Sequence, residues 1–134
     1  MFAGALNLDS TNCMEFGQDI GTWDTSAVTD MSRMFFLCQR FDSNIGAWDT
    51  SSVRDFSYMF YRASVFNRDI GTWNTSSVES VVRMFHGAWA FEHDLSRWDM
   101  SSVTRAADFS TKPLNLWAAA RRPRFPAGSD TRLW

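Results

Sequence analysis

The chain is poor in several residue types: its 134 residues include two Cys, two Tyr and three Pro, and Lys112 is the only lysine. No apolar run reaches the about 18–20 residues that a membrane-spanning helix needs. The opening stretch MFAGALNLDSTN has neither a positively charged start nor a long apolar segment, so it does not resemble a signal peptide. Phosphate-binding glycine loops and the G-x-S-x-G elbow of hydrolases are absent. The sequence therefore predicts neither an enzyme nor a cofactor.

Charge is low overall and unevenly distributed along the chain. The formal net charge is −2, which gives no indication of nucleic-acid binding. Residues 1–110 hold eight Arg, no Lys and 14 acidic residues, whereas residues 111–134 hold five basic residues and one acidic residue. We expect a body and a separate basic C-terminal tail. The tail is either a patch for an anionic partner or a segment without a role.

Four apolar positions recur every 25 residues, without a gap between residues 16 and 103. Residues 16–40 and 41–65 are identical at 12 of 25 positions. A short constant period of this kind indicates stacked units that share one core. The recurring residues are Phe16, Phe41, Phe66 and Phe91; Ile20, Ile45, Ile70 and Leu95; Trp23, Trp48, Trp73 and Trp98; and Val28, Val53, Val78 and Val103.

Each unit carries two patterns of apolar spacing. From Val28 to Cys38 the apolar residues are spaced 3, 3, 1 and 3, which predicts a short outer helix. Trp23 and Thr25 alternate with polar residues, which predicts a short strand. The predicted fold class is an α/β repeat, a leucine-rich-repeat-like solenoid of four to five coils, each with a short parallel strand and a short helix. The predicted coils are 16–40, 41–65, 66–90 and 91–110, with a partial coil at 1–15.

The pattern I-x-x-W-D-T-S-x-V-x-D-M-S-x-M-F-x-x-C-x-x-F resembles the repeat of BspA-like leucine-rich-repeat surface proteins. The resemblance covers about residues 16–110 and implies a surface or adhesion-type scaffold without catalytic residues, located outside the cell or on its surface. Met31 is replaced by Phe56, Val81 and Ala106 in later units, so the last coil departs from the pattern. No polar capping unit precedes the first coil, and we expect the chain to be a fragment of a longer array.

The column formed by Asp24, Asp49, Asn74 and Asp99 is the candidate binding surface. On a leucine-rich-repeat frame these residues face the concave strand side, where a protein or glycan would bind. Stacked carboxylates repel one another, and a partner would relieve that repulsion. Alternatively, each Asp accepts hydrogen bonds from the Ser residues that follow it, which explains the sequence without a ligand.

The remaining candidates have structural explanations. Trp23, Trp48, Trp73 and Trp98 are predicted to form a core ladder rather than an exposed aromatic platform. Cys13 and Cys38 share a phase, so they either form a disulfide or fill a small buried position that Ala63 and Ala88 take later. His86 and His93 have no further ligands near them in sequence, so no metal site is predicted.

Two functions of different class follow from these patterns. The first is a non-enzymatic adhesion module that binds a protein or a cell-surface glycan. The second is a structural spacer, or an intracellular scaffold for protein interactions. No membrane span and no nucleic-acid partner are expected for either function.

Overall fold

The computed structural model describes residues 4–5, 19–111 and 119–128 of the chain. Its regular elements are two strands, β1 (Gly4–Ala5) and β2 (Val28–Asp30), and one short 3-10 helix, Ala119–Arg121. The strands pair in parallel, Gly4 with Val28 and Ala5 with Asp30, with a register irregularity between Gly4 and Ala5. The described residues contain no α-helix.

The predicted α/β leucine-rich-repeat-like solenoid is therefore wrong, and the predicted outer helix is the first reason. Within residues 28–38, Met34 and Cys38 donate their N–H groups to carbonyls three residues back, at 3.3 and 3.1 Å. Arg33 and Leu37 have φ values of 59° and 61°, in the left-handed region, which interrupts any α-helical hydrogen-bond ladder. The segment is a succession of tight turns.

The predicted strand around Trp23 is also missing. The Trp23 N–H donates to the Ile20 carbonyl at 3.1 Å, and the Ser26 N–H donates to the Asp24 carboxylate, so the segment turns twice. Beyond β2, the strand-like pairing among the described residues is reduced to isolated parallel bridges between consecutive units. These bridges join Asp30 to Asp55, Asp55 to Ser80, Ser80 to Arg105, and Phe85 to Ser110.

Consecutive 25-residue units contact one another through an alternating pattern of backbone bonds. In the turn segment, Met31 and Arg33 donate to the carbonyls of Asp55 and Ser57 in the next unit, at 3.0 and 2.9 Å. The Ser32 N–H between them donates within its own unit, to the Asp30 carboxylate at 2.8 Å. Over residues 31–39 every backbone N–H is thereby used without a helix or a continuous sheet, as burial of the peptide groups requires.

The core lies between these turns and follows the 25-residue period. It is continuous through the described units, and its largest members are phenylalanines that stack across units. Phe60 lies 5.7 Å from Phe35 and 5.4 Å from Phe85, measured between ring centroids. The fully buried phenylalanines are Phe35, Phe41, Phe56, Phe60, Phe66, Phe85, Phe91 and Phe109.

Tryptophan and threonine side chains connect neighbouring units inside this core. Trp48, Trp73 and Trp98 are each 4% exposed, and Trp23 is half-buried against the core. The indole N–H groups of Trp48, Trp73 and Trp98 donate to the carbonyls of Ile20, Ile45 and Ile70, at 2.9, 3.1 and 3.0 Å. The buried hydroxyls of Thr25, Thr50 and Thr75 donate to the carbonyls of Asp49, Asn74 and Asp99. These bonds satisfy polar groups that would otherwise be buried without partners.

Part of the predicted basic tail contacts the last unit. The Leu95 N–H donates to the Arg121 carbonyl at 2.8 Å, and the Phe125 ring lies 5.2 Å from Phe109. No helix of the described residues is long and apolar enough to cross a membrane.

Candidate functional site

The predicted binding column is exposed, and its oxygens are engaged locally. Asp24, Asp49, Asn74 and Asp99 each accept the backbone N–H of the Ser two residues later, at 2.9–3.1 Å. The first three also accept that serine's hydroxyl, at 2.6–2.7 Å. No strand carries these residues in the described part of the chain, so the predicted concave strand face is wrong. The alternative prediction, in which each of these residues accepts hydrogen bonds from the following Ser, is present in every unit.

These hydrogen bonds lower the pKa of the carboxyl groups. At Asp24 and Asp49 the first cause is the bond from the serine side chain and the second is the bond from the serine backbone, and Ser101 lowers the pKa of Asp99. Both bonds favour the ionised carboxylate over the neutral acid. The carboxylates therefore close turns in their charged form.

Stability is expected to fall when acid neutralises these carboxylates. A group whose pKa is lower in the folded chain contributes stability above its unfolded pKa, and that contribution is lost as the pH falls through the folded pKa. We expect urea midpoints to decrease below about pH 4. A variant with Asn at positions 24, 49 and 99 keeps the turns, as Asn74 does, and should show a shallower decrease. Parallel pH profiles for the two proteins would contradict this origin of the acid sensitivity.

A second surface, not anticipated from the sequence, combines aromatic rings with arginines. Phe36 lies 5.0 Å from Tyr61, which lies 5.1 Å from His86, and the successive rings are nearly parallel. Tyr58 adjoins this ladder, 5.6 Å from Tyr61. We call this the aromatic–arginine surface, and it consists of Arg33, Phe36, Tyr58, Tyr61, Arg62, Arg83, His86 and Trp89.

The arginines of this surface lie over its rings. The Arg33 guanidinium is 5.0 Å from the centre of the Tyr58 ring, and Arg62 is 5.6 Å from the centre of Tyr61. Arg83 lies 5.9 Å from Tyr58 and forms an ion pair with Asp108 at 3.2 Å. In cation–π contacts of this kind the guanidinium group is attracted electrostatically to the aromatic ring.

An open pocket of about 300 Å³ adjoins the surface. Trp89, at its rim, is 60% exposed, which is unusual for so large an apolar side chain. Burial, and then the charge of Arg83, lowers the pKa of His86, which favours its neutral form. The pocket is lined by Gln39, Arg62, Ser64, His86, Gly87, Trp89 and Thr111.

The repeat itself held a signal for this surface. Phe36, Tyr61 and His86 are spaced by 25 residues, as are Arg33, Tyr58 and Arg83. Both sets lie between the core positions of their units. The prediction of an outer helix rested on the apolar core positions alone, so it did not connect the two columns.

The cysteine and histidine candidates do not form a site among the described residues. Cys38 is buried and disulfide-bonded. Its predicted partner, Cys13, lies outside the described residues, so that pairing stays a prediction. His93 lies 3.0 Å from the Asn67 carbonyl. No group of three or more His, Cys, Asp or Glu residues is placed to hold a metal ion in the described ranges.

A comparison with models of protein families gives a match over most of the chain. Residues 4–116 match a family described as "Mycoplasma protein of unknown function, DUF285". No curated protein and no solved structure matches the sequence.

Proposed function

The chain belongs to the DUF285 family, and we propose that it is a non-enzymatic module that binds another protein or a cell-surface glycan. The observation that carries this proposal is the aromatic–arginine surface. Large rings and guanidinium groups remain at the solvent boundary there, although the neighbouring positions of every unit are buried. Tyr, Trp and Arg are the residue types that contribute most to binding energy at protein interfaces.

The backbone beneath this surface supports the proposal. Arg33 and Tyr58 donate their backbone N–H groups to the next unit at 2.9 and 2.8 Å, so the positions that carry the side chains are fixed by bonds between units. A surface that is ordered before binding loses less conformational entropy when a ligand binds. We also propose, from the resemblance to BspA-like surface proteins, that the module acts outside the cell or at its surface.

A structural spacer is the second candidate. Two observations favour this function. The exposed Asp residues accept hydrogen bonds within local turns, and buried side chains donate hydrogen bonds to the next unit. Such a stack would set a distance between other segments without contacting a ligand itself.

Array binding by the folded chain separates the two functions. The labelled protein is applied to protein and glycan arrays, beside a sample unfolded in urea. The binding module predicts saturable binding to at least one ligand, lost on unfolding. Absence of saturable binding from every array would overturn the binding function and support the spacer.

The Asp column is expected to contribute little to that binding. Asp49→Asn and Asp99→Asn remove two charges, and Asn74 shows that an amide makes the same bonds to its following serine, at 3.0 and 2.7 Å. We therefore expect unchanged affinity for any ligand found on the arrays, measured by titration calorimetry. A marked loss of affinity with an unchanged melting temperature would instead assign the Asp column a direct ligand contact.

A further inference from the structure

We propose that the aromatic–arginine surface binds an acidic segment of a partner protein. The partner's carboxylates would contact Arg33 and Arg62, and an apolar side chain next to them would pack on Trp89. This inference rests on the proposed binding function and specifies both its surface and the chemistry of its partner.

The charge of the surface is the first argument. Within the surface, Arg83 forms an ion pair with Asp108 at 3.2 Å. Outside it, Arg68 forms an ion pair with Asp42 at 3.3 Å. Arg33 and Arg62 form no ion pair with any carboxylate in the part of the chain that the structure describes. Their planar guanidinium groups present donors in a geometry that matches a carboxylate with two parallel hydrogen bonds. The surface therefore offers two cationic groups that form no ion pair with the described residues around them.

The orientation of the rings is the second argument. Phe36, Tyr61 and His86 stack on one another at 5.0 and 5.1 Å, with interplanar angles of 15° and 8°. Stacking covers the ring faces inside the ladder, and all three side chains remain partly exposed, so the ring edges are the parts that a ligand would meet. Ring edges carry partial positive charge, so they add to the attraction of the two arginines for an anion.

The apolar rim distinguishes a peptide from an anionic polysaccharide. Trp89 is 60% exposed at the pocket, and Val65 in the preceding unit is 47% exposed. The covered ring faces of the ladder are unavailable for packing against sugar rings, whereas an exposed Trp beside Arg62 suits an apolar side chain flanked by carboxylates. This combination of an aromatic anchor and charged neighbours is typical of protein interfaces.

The test uses a biotinylated Glu-rich peptide with a single Leu, immobilised on a sensor, and the whole chain in solution. We expect saturable binding that weakens as salt is raised. No binding is expected to the matched peptide with Lys at every Glu position. The double variant Arg33→Gln/Arg62→Gln should bind about tenfold more weakly or worse, because each charged hydrogen bond contributes measurably.

Two further variants complete the design. Arg97→Gln removes an exposed arginine outside the surface and should leave peptide binding unchanged. Trp89→Ala should weaken binding of the Leu-containing peptide but not of the same peptide with Leu replaced by Glu. Melting temperatures of all variants establish that each is folded.

The inference is overturned by equal peptide binding to the wild type and the double arginine variant. It is equally overturned if heparin-derived sulfated oligosaccharides bind through Arg33 and Arg62 while the acidic peptide does not. In both cases the proposed binding function stands if the arrays show saturable binding to any ligand. The proposed function itself fails only if the arrays show none.

Discussion

Replacing Trp48 by alanine is expected to lower the free energy of unfolding by about 3–5 kcal/mol. The side chain is 4% exposed, and its ring lies 6.3 Å from Trp23 and 6.0 Å from Phe35, measured between centroids. Its indole N–H donates to the Ile20 carbonyl at 2.9 Å, which joins two units. The substitution removes apolar packing and a buried hydrogen bond together, and urea unfolding followed by circular dichroism would measure the loss.

A second variant separates the two contributions. Trp48→Phe retains most of the apolar ring and removes the indole N–H. The Ile20 carbonyl still accepts the backbone N–H of Trp23 at 3.1 Å, so it does not become an unpaired buried acceptor. We expect Trp48→Phe to cost about 1–2 kcal/mol. Equal costs for the two variants would show that the hydrogen bond, and not the packing, holds the tryptophan column.

The period of the sequence predicted which residues share a column but not the conformation between them. An α-helix and a succession of three-residue turns both bring residues i and i+3 to the same side. The spacing of Val28, Met31, Met34 and Cys38 fits both, so apolar periodicity alone does not choose between them. The turns are selected by backbone hydrogen bonds that run from Met31 and later residues to the next unit. These bonds join residues 24 positions apart, so the spacing of apolar residues within one unit does not predict them.

The left-handed residues explain why the helix prediction failed. Glycine and asparagine are the usual signs of positive φ, yet Arg33, Tyr58 and Arg83 adopt φ values of 59°, 59° and 51°. Their conformations recur at the same position of successive units, where each N–H donates to the following unit. Hydrogen bonds between units thus override the preference of these residues for negative φ. The sequence of a single unit indicates only that local preference.

The turn around Asp24, by contrast, was readable. Asp-x-Ser spacing favours an Asx turn, and the structure has this turn in each unit from Asp24 to Asp99. The strand prediction gave more weight to the alternation of Trp23 and Thr25 than to this signal. The aromatic–arginine surface was missed because the 25-residue period was applied to the core positions and to the Asp column, and not to the exposed positions of the predicted helix.

Gly46→Ala is expected to destabilise the stack by about 1–3 kcal/mol, although it adds one methyl group. A Cβ atom at this position would lie 2.6 Å from the backbone carbonyl oxygen of Asp69 in the next unit. A backbone atom cannot rotate away as a side chain does, so the two units must separate or shift. Cβ atoms at Gly21 and Gly71 would lie 2.6 and 2.5 Å from the corresponding carbonyl oxygens of Asn44 and Asp94. The glycine therefore sets how closely consecutive units approach.

The last unit provides the matched control for this substitution. Ser96 occupies the same position as Gly46 and is exposed, so a side chain is already accommodated there. Its backbone N–H donates to the Asp94 carboxylate at 2.8 Å, a bond that Ser96→Ala retains. We expect Ser96→Ala to change the free energy of unfolding by less than about 0.5 kcal/mol. A comparable change for Gly46→Ala in urea titrations would mean that the units can move apart without loss, and that the bonds between them contribute little to stability.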